Sequence, residues 1–147
     1  MKVDRRLRDG DTVELGGTTL VTHLTPGHSI GCTTWTMRVN NYDVVFVGGT
    51  TINPGVKLLN NPKYPNWAAD YAKTFQTLRS LKCDVFLAPH GSQYGMREKY
   101  ERLKKGENPN PFIDPQGYAR LVDESERVFK DQLARERAAA ADIHRLK

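Results

Sequence analysis

Two histidines stand where a fold can present metal ligands. His28 closes the run Thr25-Pro26-Gly27-His28, and His90 stands in Ala88-Pro89-His90-Gly91. Each follows a β-rich apolar run, and each is delivered by a turn containing proline and glycine. Imidazole is the commonest protein ligand for metals, and a catalytic zinc takes three protein ligands while keeping a fourth position for water. The other histidines are His23 and His144, and nowhere does the chain gather a tight cluster of His and Asp. The residues therefore amount to half of a metal site. His23 lies inside a strand pattern and reads as structural, while His144 reads as a solvated side chain near the end of the chain.

The elements that must carry these turns are written in the hydrophobic pattern. Leu15-Gly16-Gly17-Thr18 predicts a hairpin between strands Thr12 to Leu15 and Thr18 to Leu24, glycine supplying the unusual dihedrals. Cys32 to Asn40 is a third strand, turning at Asn40-Asn41 into a short apolar strand, Val44 to Val47, which Gly48-Gly49 stops. Residues 50–64 carry Pro54, Gly55, Pro62 and several asparagines and read as an irregular loop. Trp67, Ala68, Tyr71, Ala72, Phe75 and Leu78 recur at three- and four-residue spacing, which predicts a helix laid on a sheet by one apolar stripe. Val85 to Ala88 is the last strand and drops His90 at its end. Helices are predicted over Met96 to Leu103 and Gly117 to Ala141, with Tyr118, Leu121, Val122, Val128, Phe129 and Leu133 on the apolar side of the latter. The Ala-rich, charged stretch after Arg135 reads as a frayed tail, leaving one αβ unit over residues 1–135 and a flexible segment over 136–147.

Composition narrows the function classes. A chain of 147 residues fits one domain and can bury roughly 70% of its unfolded surface. No apolar run approaches the ~18 residues that span a bilayer, so no membrane partner is expected, and the basic start lacks the apolar segment of a secretory signal. As written, the chain would stay in the cytoplasm. The net charge is +5, but the densest basic stretch places Arg97, Lys99, Arg102, Lys104 and Lys105 among Glu98 and Glu101, as on a solvated helix face. No aromatic stripe interleaves with these charges, so nucleic-acid binding is not expected. Cys32 and Cys83 match no short zinc-knuckle spacing and read as independent thiols with packing roles.

The segment from His23 to Trp35, with Thr25-Pro26-Gly27-His28 at its centre, resembles the third metal-ligand motif of the metallo-β-lactamase superfamily, and in detail that of its subclass B3. The likeness continues in order through Asn53-Pro54-Gly55, Asn61-Pro62-Lys63-Tyr64-Pro65, Ala69-Asp70-Tyr71, Cys83-Asp84-Val85 and Ala88-Pro89-His90-Gly91, so it spans most of residues 3–130. It implies an α/β (α+β) chain of about five strands and three helices, the C-terminal αβ half of an αββα sandwich. By the same resemblance His28 is a ligand of a first zinc and His90 of a second. The family's remaining ligands come from an upstream His-x-His-x-Asp-His motif that this sequence does not hold. Thr50, after the strand end Gly48-Gly49, fits the small hydroxyl residue of subclass B3 and is a candidate contact to a β-lactam substrate; Ile52 stands where that subclass often has a serine. Two zinc ions sharing a hydroxide would aim it at the lactam carbonyl while polarising that carbonyl.

Two functional expectations follow. One is a zinc-dependent β-lactam hydrolase represented by its C-terminal half, inactive until an N-terminal half is supplied, and periplasmic as the exported family members are. The other is a non-catalytic half-domain with weak or vestigial metal binding that self-associates, because a bare inner sheet face is an aggregation liability.

Overall fold

The computed structural model describes the backbone of residues 2–145 and side chains as far as Asp142. The expectations for the His144 side chain and for residues 146–147 lie outside the described residues.

Strand β1 (Thr12–Leu15) pairs antiparallel with β2 (Thr18–Leu24). Gly16 and Gly17 both take positive φ, 58° and 78°, which is what a two-residue hairpin matched to strand twist requires. β2 pairs antiparallel with β3 (Thr33–Val39), and β3 with β4 (Tyr42–Phe46). Helix α1 (Trp67–Ser80) then crosses back over the sheet and β5 (Val85–Leu87) joins β4 in parallel, giving the order β1-β2-β3-β4-β5. A 3₁₀ turn (Gly91–Tyr94), α2 (Met96–Lys104) and α3 (Pro115–Arg145) complete the chain. The expected five strands and three helices are present; the 3₁₀ turn after His90 has no counterpart in the sequence pattern.

The core lies between one face of the sheet and the helices. Val45, Val47 and Phe86 point up from β4, its end and β5, and meet Tyr71, Phe75 and Leu78 of α1 and Tyr118, Val122 and Phe129 of α3. Side chains on a strand alternate faces, so Val44, Phe46, Val85 and Leu87 point the other way. Across the register they line up with Met37 and Trp35 of β3. This second face is apolar, and only Val44 of the six is buried on it.

Helical backbone continues across residues 136–145. At its start Glu136 accepts the Leu58 and Leu59 backbone N–H groups at 3.0 and 2.9 Å, and one turn earlier Gln132 donates to the Val56 carbonyl at 2.8 Å. The far end of α3 thus pins the irregular loop that precedes α1. Burial works against the Glu136 charge, but Gln132, the two N–H groups and Lys57 outweigh it and hold the carboxyl below its ordinary range. Glu136→Ala would strand two N–H donors beside the fully buried Leu58 and should cost about 1–3 kcal/mol. Trypsin should then cleave after Lys57 faster than in the native chain.

The basic stretch of α2 departs from its reading as a wholly solvated face. Lys99 is buried, with 7% of its surface exposed. Its Nζ lies 2.8 Å from Asp114 Oδ2, off the angles of a hydrogen bond, and 4.8 Å above the centre of the Phe86 ring. Asp114 also accepts the Gly117 N–H at 2.7 Å, capping the start of α3 with Pro115 at the first helical position. One carboxylate therefore holds α2 against α3.

Candidate functional site

Because β2, β4 and β5 run in one direction and β3 in the other, the C-terminal ends of those three strands fall at the same end of the sheet. The turns that carry His28, Thr50 and His90 leave from those ends.

The turn after β2 is fixed from below. Thr25 is buried, its hydroxyl bonded to that of Thr34 at 3.0 Å, and its N–H donates to the Cys32 carbonyl at 2.9 Å. From α1, Thr74 donates to the Pro26 carbonyl at 2.6 Å and the Trp67 indole N–H donates to the Gly27 carbonyl. Gly27 takes φ +141° directly over the Tyr71 ring, where an added Cβ would sit 2.8 Å from a ring carbon. The turn can be this tight because residue 27 has no side chain.

His28 is then aimed by the segment after β4. Its Nδ1 lies 2.7 Å from the Thr51 carbonyl oxygen and 3.3 Å from the Thr51 hydroxyl. The ring rests against Gly49, where a Cβ would come within 2.6 Å of it. Gly49 is itself tethered, its N–H donating to Cys32 Sγ at 3.0 Å, and Gly48 N–H donates to the Thr34 hydroxyl at 3.0 Å. The glycine pair read from sequence as a strand stop also serves as the seat of the histidine ring. A carbonyl oxygen only accepts, so Nδ1 carries the proton in this arrangement and Nε2 keeps a lone pair for a metal.

His90 begins the 3₁₀ turn and is exposed. Its N–H donates to Gln93 Oε1 at 3.3 Å, and the Gln93 N–H returns the bond to the His90 carbonyl at 2.9 Å. Thr50 is buried, 3% exposed, and its hydroxyl accepts from Ser125 of α3 at 3.1 Å. The exposed hydroxyl of this segment belongs to Thr51. Beside Thr50, Thr51 and Gln93, a cleft of about 720 Å3 opens between the 3₁₀ turn, α2 and α3.

The remaining candidates play other parts. His23 Nε2 pairs with the Thr36 hydroxyl at 2.8 Å, and burial lowers its pKa against the opposing pull of Asp9. Cys32 and Cys83 are both free, and burial, with Asp84, Asp114 and Asp43 adding to it, pushes the Cys83 thiol up to about 12. Among the described residues no three His, Cys, Asp or Glu side chains gather as metal ligands. His28 therefore has the donor chemistry of a zinc ligand, while the set this chain brings stops short of the three that a catalytic zinc takes.

Sequence reading missed Thr51 and Tyr71 as partners of the site. Tyr71 donates its hydroxyl to the Thr51 carbonyl at 2.8 Å. Its place in the apolar stripe of α1 hid that role; the signal was a phenol where leucine would have filled the stripe.

No family model matches the chain. Solved structures do. The FEZ-1 metallo-β-lactamase of Legionella gormanii is 42% identical over 93% of this chain, with a TM-score of 0.89. BJP-1 of Bradyrhizobium japonicum, a subclass B3 metallo-β-lactamase, is 40% identical over 95% of it, with a TM-score of 0.84. A metallo-β-lactamase of Cronobacter sakazakii is 38% identical over 94%, with a TM-score of 0.86. The chain spans 53%, 54% and 53% of those three chains, about half the length of each.

Proposed function

Since the chain belongs to the metallo-β-lactamase family, as one αβ half of the subclass B3 fold, we propose that it supplies half of the zinc site of a β-lactam hydrolase. The carrying observation is the seating of His28, whose Nδ1 is taken by the Thr51 carbonyl so that Nε2 is left as a donor. In this reading His28 serves a first zinc and His90 a second, and the other ligands come from a partner αβ half. Zinc held by these histidines and the partner half's ligands would supply Lewis-acid activation of water and of the carbonyl to be attacked.

The residues of this chain hold and orient. Thr51 and Gly49 fix the His28 ring, and Gln93 fixes the backbone of His90. Thr50 is the proposed substrate contact, and to act so it must give up its bond from Ser125. The periplasm, where exported members of the branch work, belongs to the same proposal and rests on the family likeness alone.

A second reading is favoured by the apolar sheet face that carries Trp35, Met37, Phe46 and Leu87. It is a half-domain whose partner is a second copy, with metal binding weak or vestigial. Two copies would bring four histidines together.

Zinc content of the purified chain, with its mass in solution by light scattering, separates the readings. Zinc near one ion per His28–His90 pair, falling to background in the His28→Ala/His90→Ala variant, would mean that these histidines are zinc ligands and that copies of the chain complete the site, and would call for a test of β-lactam hydrolysis. Binding should also weaken on acidification, because each ligand must be unprotonated to bind. A zinc-free oligomer would sink zinc chemistry by this chain alone and leave an assembling half-domain whose ligands await a partner half.

A further inference from the structure

We propose that Tyr71 is a positioning residue which, through the Thr51 carbonyl, decides which nitrogen of His28 is left free. The side chain is 1% exposed and packs in a three-ring cluster with Phe75 and Phe129, whose ring centres lie 6.2 and 5.4 Å away. From there it touches both ends of the His28 arrangement. Its ring lies under Gly27, and its hydroxyl donates to the Thr51 oxygen at 2.8 Å. That same oxygen receives His28 Nδ1 at 2.7 Å. A carbonyl has two lone pairs and no proton, so it can serve both partners only if both donate.

His28 has a second option on the same residue. The Thr51 hydroxyl lies 3.3 Å from Nδ1, and a hydroxyl can donate to an unprotonated ring nitrogen. The carbonyl selects Nδ1–H with Nε2 free; the hydroxyl would permit the opposite tautomer, with Nε2–H blocking the metal-facing donor. What tips the choice is the orientation of the Thr51 peptide plane. Tyr71 holds that plane by a bond from a rigid ring wedged in the core. Burial raises the phenol pKa, so the hydroxyl keeps its proton to donate.

The proposal rests on the functional reading above only for the use made of Nε2, and its test needs no metal. Histidine ¹⁵N spectra of the metal-free chain, recorded where imidazole is neutral and assigned against His28→Ala, report which nitrogen is protonated. The native chain should show His28 as Nδ1–H. Tyr71→Phe keeps the ring and removes the hydroxyl, and should move most of the population to Nε2–H. Adding Thr51→Val to Tyr71→Phe removes the competing hydroxyl while keeping the carbonyl, and should restore Nδ1–H, a rescue that a purely structural role for Tyr71 does not predict. An Nε2–H tautomer in the native chain overturns the proposal even if Tyr71→Phe does not fold, and so does an unchanged tautomer in a folded Tyr71→Phe. Zinc added afterwards tests the other reading separately: Nε2 free but unperturbed by zinc would sink the metal site and leave Tyr71's role standing.

Discussion

Gly27→Ala is expected to destabilise the chain severely. At φ +141° an alanine is strained whatever the space, at about 1–3 kcal/mol. The space is also taken: the new Cβ would fall 2.8 Å from the Tyr71 ring, which cannot retreat because Phe75 and Phe129 stack on it. Overpacking a filled core adds about 1–3 kcal/mol. Together these predict a loss of about 3 kcal/mol or more, and a fall in Tm of roughly 10 °C for a chain of this size. Thermal unfolding followed by circular dichroism checks it. A variant as stable as the native chain would mean that the turn after β2 is looser than its contacts indicate.

Asp114→Ala should cost as much, because it leaves Lys99 buried without its counter-charge. With side-chain exposures of 9% for Lys99 and 23% for Asp114, the pair is largely out of water, and removing one member of such a pair costs about 3–5 kcal/mol. The cap on α3 goes with it. Lys99→Met should offset much of the loss in the double variant, a coupling that a denaturation cycle measures directly. The pH dependence carries a sign. Burial alone would raise the Asp114 carboxyl, but the Lys99 ammonium, the Gly117 N–H and Arg120 together bring it below its ordinary 3.8. A depressed carboxylate binds fewer protons folded than unfolded, so its stabilisation is complete well above that value and is lost as pH falls through the folded one. Asp114→Asn should flatten the acid limb of a stability profile.

How much of this was legible in the sequence depends on how local the cause is. The β1–β2 hairpin, the Asn40-Asn41 turn and the α1 stripe are set by residues a few positions apart, and they were read to within a residue or two. Tyr42 and Asp43 joined β4 beyond the expected start because their partners, Val39 and Arg38, lie across a ladder that composition does not show. Both turns that carry His28 and His90 were found, since proline and glycine announce them. Their surroundings were not. Thr50 is buried by Ser125, Lys99 is neutralised by Asp114, and Glu136 reaches back to Leu58, all contacts between distant parts of the chain. Gly49 looked like punctuation because what it makes room for, the His28 ring, comes from another strand's end.

The connection pattern also orders events in time. Strands β1 to β4 form a meander in which every pairing joins neighbours in sequence, whereas the β4–β5 pairing must close the whole stretch from Phe46 to Val85. Short closures are entropically cheaper and form sooner. The His28 turn and its glycine seat belong to the early meander, and the His90 turn arrives only when α1 has docked and β5 has zipped on. The two histidine turns thus reach the same end of the sheet only through a longer search than any within the meander, and a lesion in α1 would delay that step without touching either histidine.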